Sequence, residues 1–348
     1  MKKLFLLIAG LLVVAAVKAQ EVAGEDLYSM DLEQLLSLKL KRLSLTDIPH
    51  THARGELMIS LKTMNMFMAG SRNGTQSLSD AEVLDDYMVT PTEMTMQMHM
   101  LGVMYSPVNR VTLMGMMNFN QNSMDHLTRM GMAFNTEASG LGDTRLSALF
   151  DLIKRNSSKL ILTTGVSLPT ASIDSRDNTP ASGESEVRLP YPMQLGSGTV
   201  DPVVALTYFS AREQSAWGFD ARGTYRLGEN ENEYTLGNAY AVSGWYAREL
   251  FPFLITTLRL EGKGAGNIDG ADPELNPMMV YTADPNLRAG FQTNVGLGLN
   301  FVPEINSFKG LRFNVEGKLP VYRNLEGPQL ETDFILGAGV SLTLNTRK

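Results

Sequence analysis

The sequence predicts an all-β protein: a transmembrane antiparallel up-and-down β-barrel of about twelve strands, with a short N-terminal helix. Three observations support this prediction. The chain begins with a secretory signal pattern, apolar and polar residues alternate through many short segments, and the connections between those segments alternate between short and long. Short turns at one end and long loops at the other are typical of barrels in bacterial outer membranes.

The N-terminus has the pattern of a signal peptide. Lys2 and Lys3 precede an apolar run from Leu4 to Val17, and small residues follow at a cleavage-like site. The run is shorter than the ~20 apolar residues of a spanning helix, and no later stretch approaches that length. An exported chain of this kind enters a membrane only as a closed barrel. We therefore expect a signal peptide (1–19), a periplasmic N-terminal segment (20–53) and an outer-membrane barrel (54–348).

The periplasmic N-terminal segment contains one helix signal. Asp31, with Gln34 three residues later, opens a leucine-rich amphipathic stretch that continues to about Leu43. We expect a short helix that leads into the barrel. A plug inside the barrel and a docking site for a periplasmic partner through 20–48 are the alternatives.

The rest of the chain consists of one strand pattern after another. We predict strands near 54–68, 94–105, 110–119, 143–153, 158–168, 201–211, 215–227, 233–247, 252–262, 288–301, 310–320 and 331–345. The short connections fall at 106–109, 154–157, 212–214, 248–251 and 302–309, and the longer ones at 69–93, 120–142, 169–200, 263–287 and 321–330, with 228–232 as the exception. An even number of strands returns both ends of the barrel to the periplasmic side.

Composition excludes several classes of protein. The formal net charge is -7, so there is no basic footprint for nucleic acid. The chain has no cysteine, which excludes disulfides, a thiol nucleophile and Cys-ligated metal sites. Only four histidines are present, and no serine motif accompanies His99 or Asp125-His126. We therefore expect no catalytic residues and no enzyme.

Alternation assigns the two faces of each predicted strand. In 311–319, apolar residues alternate with Arg312, Asn314 and Glu316. In a membrane barrel the apolar face meets lipid and the polar face lines the lumen. The candidate lumen residues for solute binding are Gln97, His99, Arg110, Asn118, Arg222, Arg226, Arg259 and Glu316. Further charges expected inside are Arg145, Asp151, Lys159, Asp220, Glu261, Lys318 and Asp333, and the mixture of signs predicts an ion-paired network that narrows or plugs the pore.

Methionine is unusually frequent, with 21 residues concentrated between Met58 and Met132. Thioethers and imidazole suit Cu(I), but methionine is also a flexible apolar residue that fills gaps or faces lipid. The row Met94–Met100 lies opposite Gln97 and His99 on its strand, so we expect this row to face lipid. The candidate metal ligands are Met64, Met66, Met114, Met116 and His99 in the lumen, and Met124 and His126 in an outer loop.

Three motifs carry a family resemblance. They are Gly140-Leu141-Gly142-Asp143 before one strand, the sequence GVSLPT at 165–170, and the sequence GSGTVDP at 196–202. In this order they resemble the family described as putative meta-pathway of phenol degradation proteins, outer-membrane barrels regarded as transporters or channels. Ala171 stands where that family is expected to have glycine. The glycines also suit a positive φ at strand entry, and Asp143 suits hydrogen bonds to loop amides.

The resemblance covers the barrel and implies transport without naming a substrate. We therefore predict an outer-membrane channel or transporter for small hydrophobic or aromatic solutes. A Met-rich barrel for copper or soft-metal transport or resistance is one alternative, and a non-conducting structural or interaction barrel is another. We expect no bound cofactor, with copper ion only as a candidate cargo. The expected partners are outer-membrane lipid and a small solute.

Overall fold

The computed structural model describes residues 48–155, 157–212, 214–303 and 310–346. Over these residues the chain forms one closed antiparallel sheet with long excursions at one end. The predicted signal peptide and the predicted helix near 31–43 lie outside the described residues, whereas the predicted barrel is almost entirely within them.

The strands begin and end close to the predicted positions. In chain order the elements are β1 (Glu56–Gly74), β2 (Gln76–Leu78), α1 (Asp80–Asp86), β3 (Val89–Val108), β4 (Val111–Thr128), β5 (Ala133–Leu141), β6 (Thr144–Arg155), β7 (Ser158–Leu168), β8 (Arg176–Asn178), β9 (Glu186–Arg188), β10 (Asp201–Arg212), β11 (Ser215–Thr224), β12 (Tyr234–Thr235), β13 (Ala239–Phe251), β14 (Leu254–Ala265), β15 (Asp269–Gly270), β16 (Gly290–Phe301) and β17 (Leu311–Asn345). Three short 3-10 turns lie in the long loops, at Tyr191–Met193, Tyr281–Ala283 and Pro285–Leu287.

The sheet closes because β1 pairs with β3 on one side and with β17 on the other. β17 is a single element of 35 residues, but its two halves have different partners. Residues 313–325 pair with β16, and residues 325–345 pair with β1. The chain therefore turns back within β17 and crosses the wall twice there. Eleven strand elements form the ring, and the double crossing gives the twelve crossings that the sequence predicts.

The two ends of the barrel differ as expected. One end, the short-turn end, carries the tight connections, such as 109–110 between β3 and β4 and 252–253 between β13 and β14. The other, the long-loop end, carries α1 and the small strands β2, β8, β9, β12 and β15. The all-β antiparallel barrel prediction is thus confirmed.

Three predicted loops are partly wrong. β1 continues to Gly74 and β3 begins at Val89 within the predicted loop 69–93, and the predicted loop 321–330 lies within β17. β4 continues to Thr128, and β5 occupies part of 120–142, where it pairs with the upper half of β4 outside the closed ring. β1, β3 and β4 contain 19, 20 and 18 residues. A tilted strand needs only about 9–11 residues to cross a bilayer. The parts of these three strands nearest the long-loop end therefore extend beyond the lipid, where apolar alternation is no longer required.

The exterior of the barrel is apolar around its circumference. Leu297 and Leu319 are each 62% exposed and Phe219 is 58% exposed, and many other large apolar side chains share this outer face. Asn294, Glu316 and Asp220, which alternate with such residues, are buried inside. This arrangement suits an exterior in contact with lipid, and an apolar surface of this extent is not stable in water.

The short-turn end is filled by side chains. Phe209, Trp245, Leu149 and Ile255 project inward from four strands and form one buried cluster. Ile48, which precedes β1, is a buried member of the same cluster. The chain ahead of the first strand therefore enters the barrel interior instead of running along the outside.

The described part of the chain has one α-helix, α1, in the first long loop. Ser79 caps it, because its hydroxyl accepts from the amide of Glu82 at 3.3 Å while the Glu82 carboxylate accepts from the Ser79 amide at 2.8 Å. The Ser79 hydroxyl also donates to this carboxylate at 2.7 Å, and the two hydrogen bonds that the carboxylate accepts lower the pKa of Glu82. Among the described residues no helix is long and apolar enough to span a membrane.

Close packing at the short-turn end predicts that one added carbon atom lowers the free energy of unfolding at some glycine positions and not at others. A Cβ at residue 218 would lie 2.7 Å from Cζ2 of Trp245 and would also strike the carbonyl of Tyr208. We expect Gly218→Ala to lower the free energy of unfolding by about 1–3 kcal/mol, as measured by urea unfolding of the detergent-solubilised barrel. Gly317→Ala is the matched control, since nothing lies within 4 Å of its added carbon. Equal losses in both variants would contradict this account.

Candidate functional site in the barrel lumen

One side of the lumen is lined by methionine, and we call this surface the methionine wall. Strand pairing places Met64 opposite Met98, and Met66 opposite Met96, across β1 and β3. Directly paired residues of an antiparallel sheet project to the same face. The wall consists of Met58, Met64, Met66 and Met68 on β1, Met94, Met96, Met98, Met100 and Met104 on β3, and Met114, Met116 and Met124 on β4.

The predicted orientation of the row Met94–Met100 is wrong. Met94 is 3% exposed and Met104 is 5% exposed, whereas Leu101 and Val103 on the alternate positions are each 40% exposed. The row therefore faces the lumen, not lipid. The inward placement predicted for Met64, Met66, Met114 and Met116 is correct, and the wall is larger than the sequence suggests.

Gln97 and His99 consequently face outward, which corrects their assignment to the lumen. Gln97 lies level with Asn65 and Gln121 on the neighbouring strands, and His99 Nδ1 lies 2.9 Å from the hydroxyl of Thr63. These polar residues form a row on the outer surface of β1, β3 and β4, toward the long-loop end. We attribute this to strand length, because the upper parts of these strands extend past the bilayer. His99 cannot join the methionine wall as a metal ligand.

Charged residues line the other side of the lumen, and we call this surface the ionic wall. Arg259 Nε donates to Glu316 at 2.8 Å, and both side chains are less than a tenth exposed. Lys318 Nζ lies 3.2 Å from Glu261, and Arg222 Nη2 lies 3.1 Å from the same carboxylate. The predicted ion-paired network is therefore present, and the inward assignment of Arg222, Arg259 and Glu316 is correct.

The three sequence motifs meet at one point on the long-loop side of the lumen. The Asp143 carboxylate accepts from the amide and the hydroxyl of Ser197, both at 2.9 Å, and from the amide of Ala171 at 3.2 Å. The Ser197 hydroxyl also lies 2.8 Å from the buried carboxylate of Asp201, so its one proton is shared between the two carboxylates. Arg226 forms an ion pair with Asp201 from the next strand. These residues fasten the long loop 169–200 to the barrel wall, as the loop-amide interpretation of Asp143 predicts.

Part of that loop folds inward over the methionine wall. Leu189, Met193 and Leu195 are buried and pack with Met94 and Met124 in one cluster. Two lumen amides reach the same segment. Asn120 Nδ2 donates to the carbonyl of Leu195 at 3.3 Å, and Asn122 Nδ2 donates to the carbonyl of Pro192 at 3.4 Å. We call 189–195 the inward loop.

The opposite end of the lumen is occupied by residues 48–53, which we call the inner plug. The hydroxyl of Thr51 donates to Asp151 at 2.7 Å and accepts from Lys159 at 3.1 Å. The His52 amide donates to Thr112 at 3.0 Å, and its carbonyl accepts from Ser106 at 3.0 Å. Four strands thus hold the plug. Residues 48–53 therefore lie inside the barrel, whereas the rest of the N-terminal segment, to which the helix, plug and docking alternatives apply, lies outside the described residues.

Of the remaining predicted residues, some lie inside the lumen and others do not. Arg110 is exposed in the turn between β3 and β4 with φ +71°, so it does not line the lumen. Asn118 faces inward and donates to Asn120 at 3.0 Å. Asp333 is exposed at a bulge between β17 and β1, which corrects its assignment to the interior. His126 faces inward at the top of β4 and stacks on Phe134, with ring centroids 4.7 Å apart.

The sequence neighbours Asp125 and His126 do not face each other. Burial lowers the pKa of His126 to about 4, and its neighbour Asp125 projects to the opposite face, where it accepts from Asn135 at 2.7 Å. Within the described ranges, no group of three or more His, Asp or Glu side chains could hold a metal ion.

Comparison with known proteins agrees with this architecture. A model of the family described as Putative MetA-pathway of phenol degradation matches residues 70–316, which is more than half of the chain. The crystal structure of an outer membrane channel from Pseudomonas putida F1 is similar, with a TM-score of 0.59 and 12% sequence identity, over 86% of this chain and 99% of that chain. At this identity the likeness concerns the fold.

A second solved structure is more distant. The Pseudomonas putida toluene transporter TodX has a TM-score of 0.39 and 10% identity, over 83% of this chain and 89% of that chain. No curated protein matches the sequence.

The inner plug predicts a pH-dependent conductance. Burial, together with the nearby charges of His52, Arg312 and Lys159, lowers the pKa of His50 from 6.5 to about 3. A displaced plug would return His50 to its ordinary pKa, so the displaced state binds more protons between these values. Docking is therefore fully stable above about pH 6.5 and weakens as the pH falls toward 3. We expect planar-bilayer conductance to rise several-fold from pH 7.5 to pH 4.5.

The control for this experiment keeps the local hydrogen bond. His50 Nδ1 lies 2.9 Å from the carbonyl of Ile48, and the amide of asparagine can replace it. His50→Asn should remove the pH response while leaving conductance at pH 7.5 unchanged. If the variant responds to acid as the wild type does, His50 is not the responsible group.

Proposed function

Because the chain belongs to the Putative MetA-pathway of phenol degradation family, we propose that it is an outer-membrane channel for small hydrophobic or aromatic solutes. On this proposal an N-terminal signal peptide exports the chain, and the barrel sits in the outer membrane with the inner plug toward the periplasm. The residues that contact the solute belong to the methionine wall and to the facing ionic wall.

The methionine wall is the observation that carries the proposal. Met64, Met98, Met100 and Met116 are only partly buried, so they present thioether side chains to the lumen between the plug and the inward loop. A lumen meant only for water and ions is polar. Unbranched, polarizable methionine adapts to different apolar shapes and makes favourable contacts with aromatic rings. These properties suit the passage of an apolar solute.

The inner plug and the inward loop each occupy one end of the lumen, which makes the proposed channel a gated one. The inward loop rests on methionines at one end, and the inner plug is held by the side chain of Thr51 and the backbone of His52 at the other. Both contacts consist of a few hydrogen bonds and limited apolar packing. Detaching a segment held in this way requires less free energy than separating the paired strands of the barrel wall.

Uptake of phenol tests the channel. The assay uses vesicles with a lipopolysaccharide outer leaflet, which resists entry of apolar solutes. We expect the purified barrel to accelerate uptake over protein-free vesicles. Replacing Met98 and Met116 by Gln should reduce this gain about tenfold, because a polar amide removes an apolar contact. Met130→Gln is the control, since Met130 is 87% exposed in an outer loop. No uptake and no bilayer conductance would instead support a non-conducting structural barrel.

The size of the methionine wall also favours a second candidate function, transport of Cu(I) or a similar soft metal. Thioether ligands suit Cu(I). The opposed pairs Met64 with Met98 and Met66 with Met96 place several thioethers on one surface. Lys62 follows the same face of β1, opposite Met100, and would repel a cation there. The candidate station is therefore the part of the wall nearer the long-loop end.

Anaerobic Cu(I) titration in competition with a chelator separates the two functions. We expect the wild-type barrel to bind Cu(I), and the variant with Met64, Met66, Met96 and Met98 changed to Leu to lose most of this binding. Leucine keeps the wall apolar, so phenol uptake should not change. The control variant carries Met130→Leu and Met132→Leu in the exposed loop. Equal binding by wild type and the fourfold variant would rule out the metal function.

A further inference from the structure

We propose that the lumen contains a binding station for a small apolar carboxylate, located where the methionine wall meets a cluster of cations. The station rests on the channel role proposed above and defines the class of solute more narrowly. Met116 and Arg145 are direct partners across β4 and β6, so they project to the same face. A solute with the size of one aromatic ring would touch a thioether and a guanidinium at once.

Existing carboxylates in this part of the lumen already have cationic partners. Arg222 and Lys318 share Glu261, at 3.1 Å and 3.2 Å. Arg226 forms its ion pair with Asp201, which also accepts two hydroxyl hydrogen bonds from the loop. These acidic groups therefore have little capacity left for another cation.

Arg145 and Lys263 are two further cations beside carboxylates that already have partners. Within the described ranges, neither side chain forms a hydrogen bond or an ion pair with an acidic residue. Arg145 lies close to Arg222 and Arg226, whose charges repel its own, and to Asp143 and Asp201, which already accept hydrogen bonds from the loop 169–200 or pair with Arg226. Lys263 lies close to Arg222 and Lys318, and to Glu261, which those two cations already share. Like charges in a partly desolvated lumen are unfavourable unless an anion is bound between them.

The side chain of Arg222 gives this cluster access to the lumen. It is 51% exposed although Arg222 projects to the inner face of β11, in line with the buried Asp220. Its guanidinium has free N–H groups beside the one that contacts Glu261. An entering carboxylate can therefore reach Arg222 and Arg145 without breaking the ionic wall.

The chemistry of the two walls selects the solute. An apolar body would rest on Met116 and Met100, and one carboxylate would accept from Arg145 and Arg222. A strongly hydrated dianion would lose much of its hydration against the methionines without compensation. A metal cation would be repelled by the cluster. The station therefore differs in position and in ligand chemistry from the candidate Cu(I) station.

Binding of benzoate and of its uncharged analogue benzamide tests the proposal. Both are titrated into the detergent-solubilised, full-length barrel at pH 7.5 and followed by saturation-transfer NMR. We expect wild type to bind benzoate about tenfold more tightly than benzamide, and Arg145→Gln and Lys263→Gln each to lower benzoate affinity about tenfold. Arg145→Lys should restore most of the affinity. Benzamide binding should stay the same in all variants.

The matched control is Arg212→Gln, which removes an exposed arginine at the short-turn end. It should bind benzoate as wild type does, and unchanged urea unfolding would show that each variant is folded. Equal affinity for benzoate and benzamide, no binding of either, or wild-type affinity in Arg145→Gln would overturn the proposal. If the wild-type barrel binds benzoate but does not accelerate phenol uptake over protein-free vesicles, the channel role is wrong and the binding station remains.

Discussion

The pairing of β1 with β17 is the constraint on which the rest of this structure depends. A sheet exposed to lipid must satisfy every backbone hydrogen bond within itself, because hydrocarbon offers no partner for a free strand edge. Closure by antiparallel pairing fixes the register from Glu56 opposite Asn345 upward. Once the register is fixed, the period of two residues decides which side chain faces lipid and which faces the lumen. The methionine wall and the ionic wall are consequences of that closure.

Strand positions follow well from the sequence, because lipid imposes the alternation that identifies a strand. The predicted 158–168 and 288–301 differ from β7 and β16 by two residues at most. The same reasoning gives the wrong face for Met94–Met100. Methionine is apolar enough to suggest lipid, yet Leu101 and Val103 on the alternate positions have the stronger preference for it. If the alternation in β3 had been followed toward the short-turn end as far as Val103, the faces would have been assigned correctly.

The connection among the three motifs could not be derived from the sequence. Asp143, Ala171 and Ser197 are separated by tens of residues, and their hydrogen bonds arise only when the loop 169–200 returns to the wall. Hairpin pairing is local and leaves a pattern, whereas such a loop contact depends on tertiary structure. The inner plug is a similar case. His50-Thr51-His52 carries no periodicity, and its place inside the barrel depends on partners up to 108 residues away.

For the channel function proposed above, the two walls would contribute differently to selectivity. Methionine has three rotatable bonds and adapts to many shapes, so the methionine wall favours apolar solutes in general and discriminates weakly among them. The ionic wall is the opposite, because the pair of Arg259 with Glu316 is buried and hydrogen-bonded and cannot rearrange without leaving a charge unpaired. Discrimination must therefore arise where rigid charge borders adaptable apolar surface. In this barrel that border lies between Met116 and Arg145.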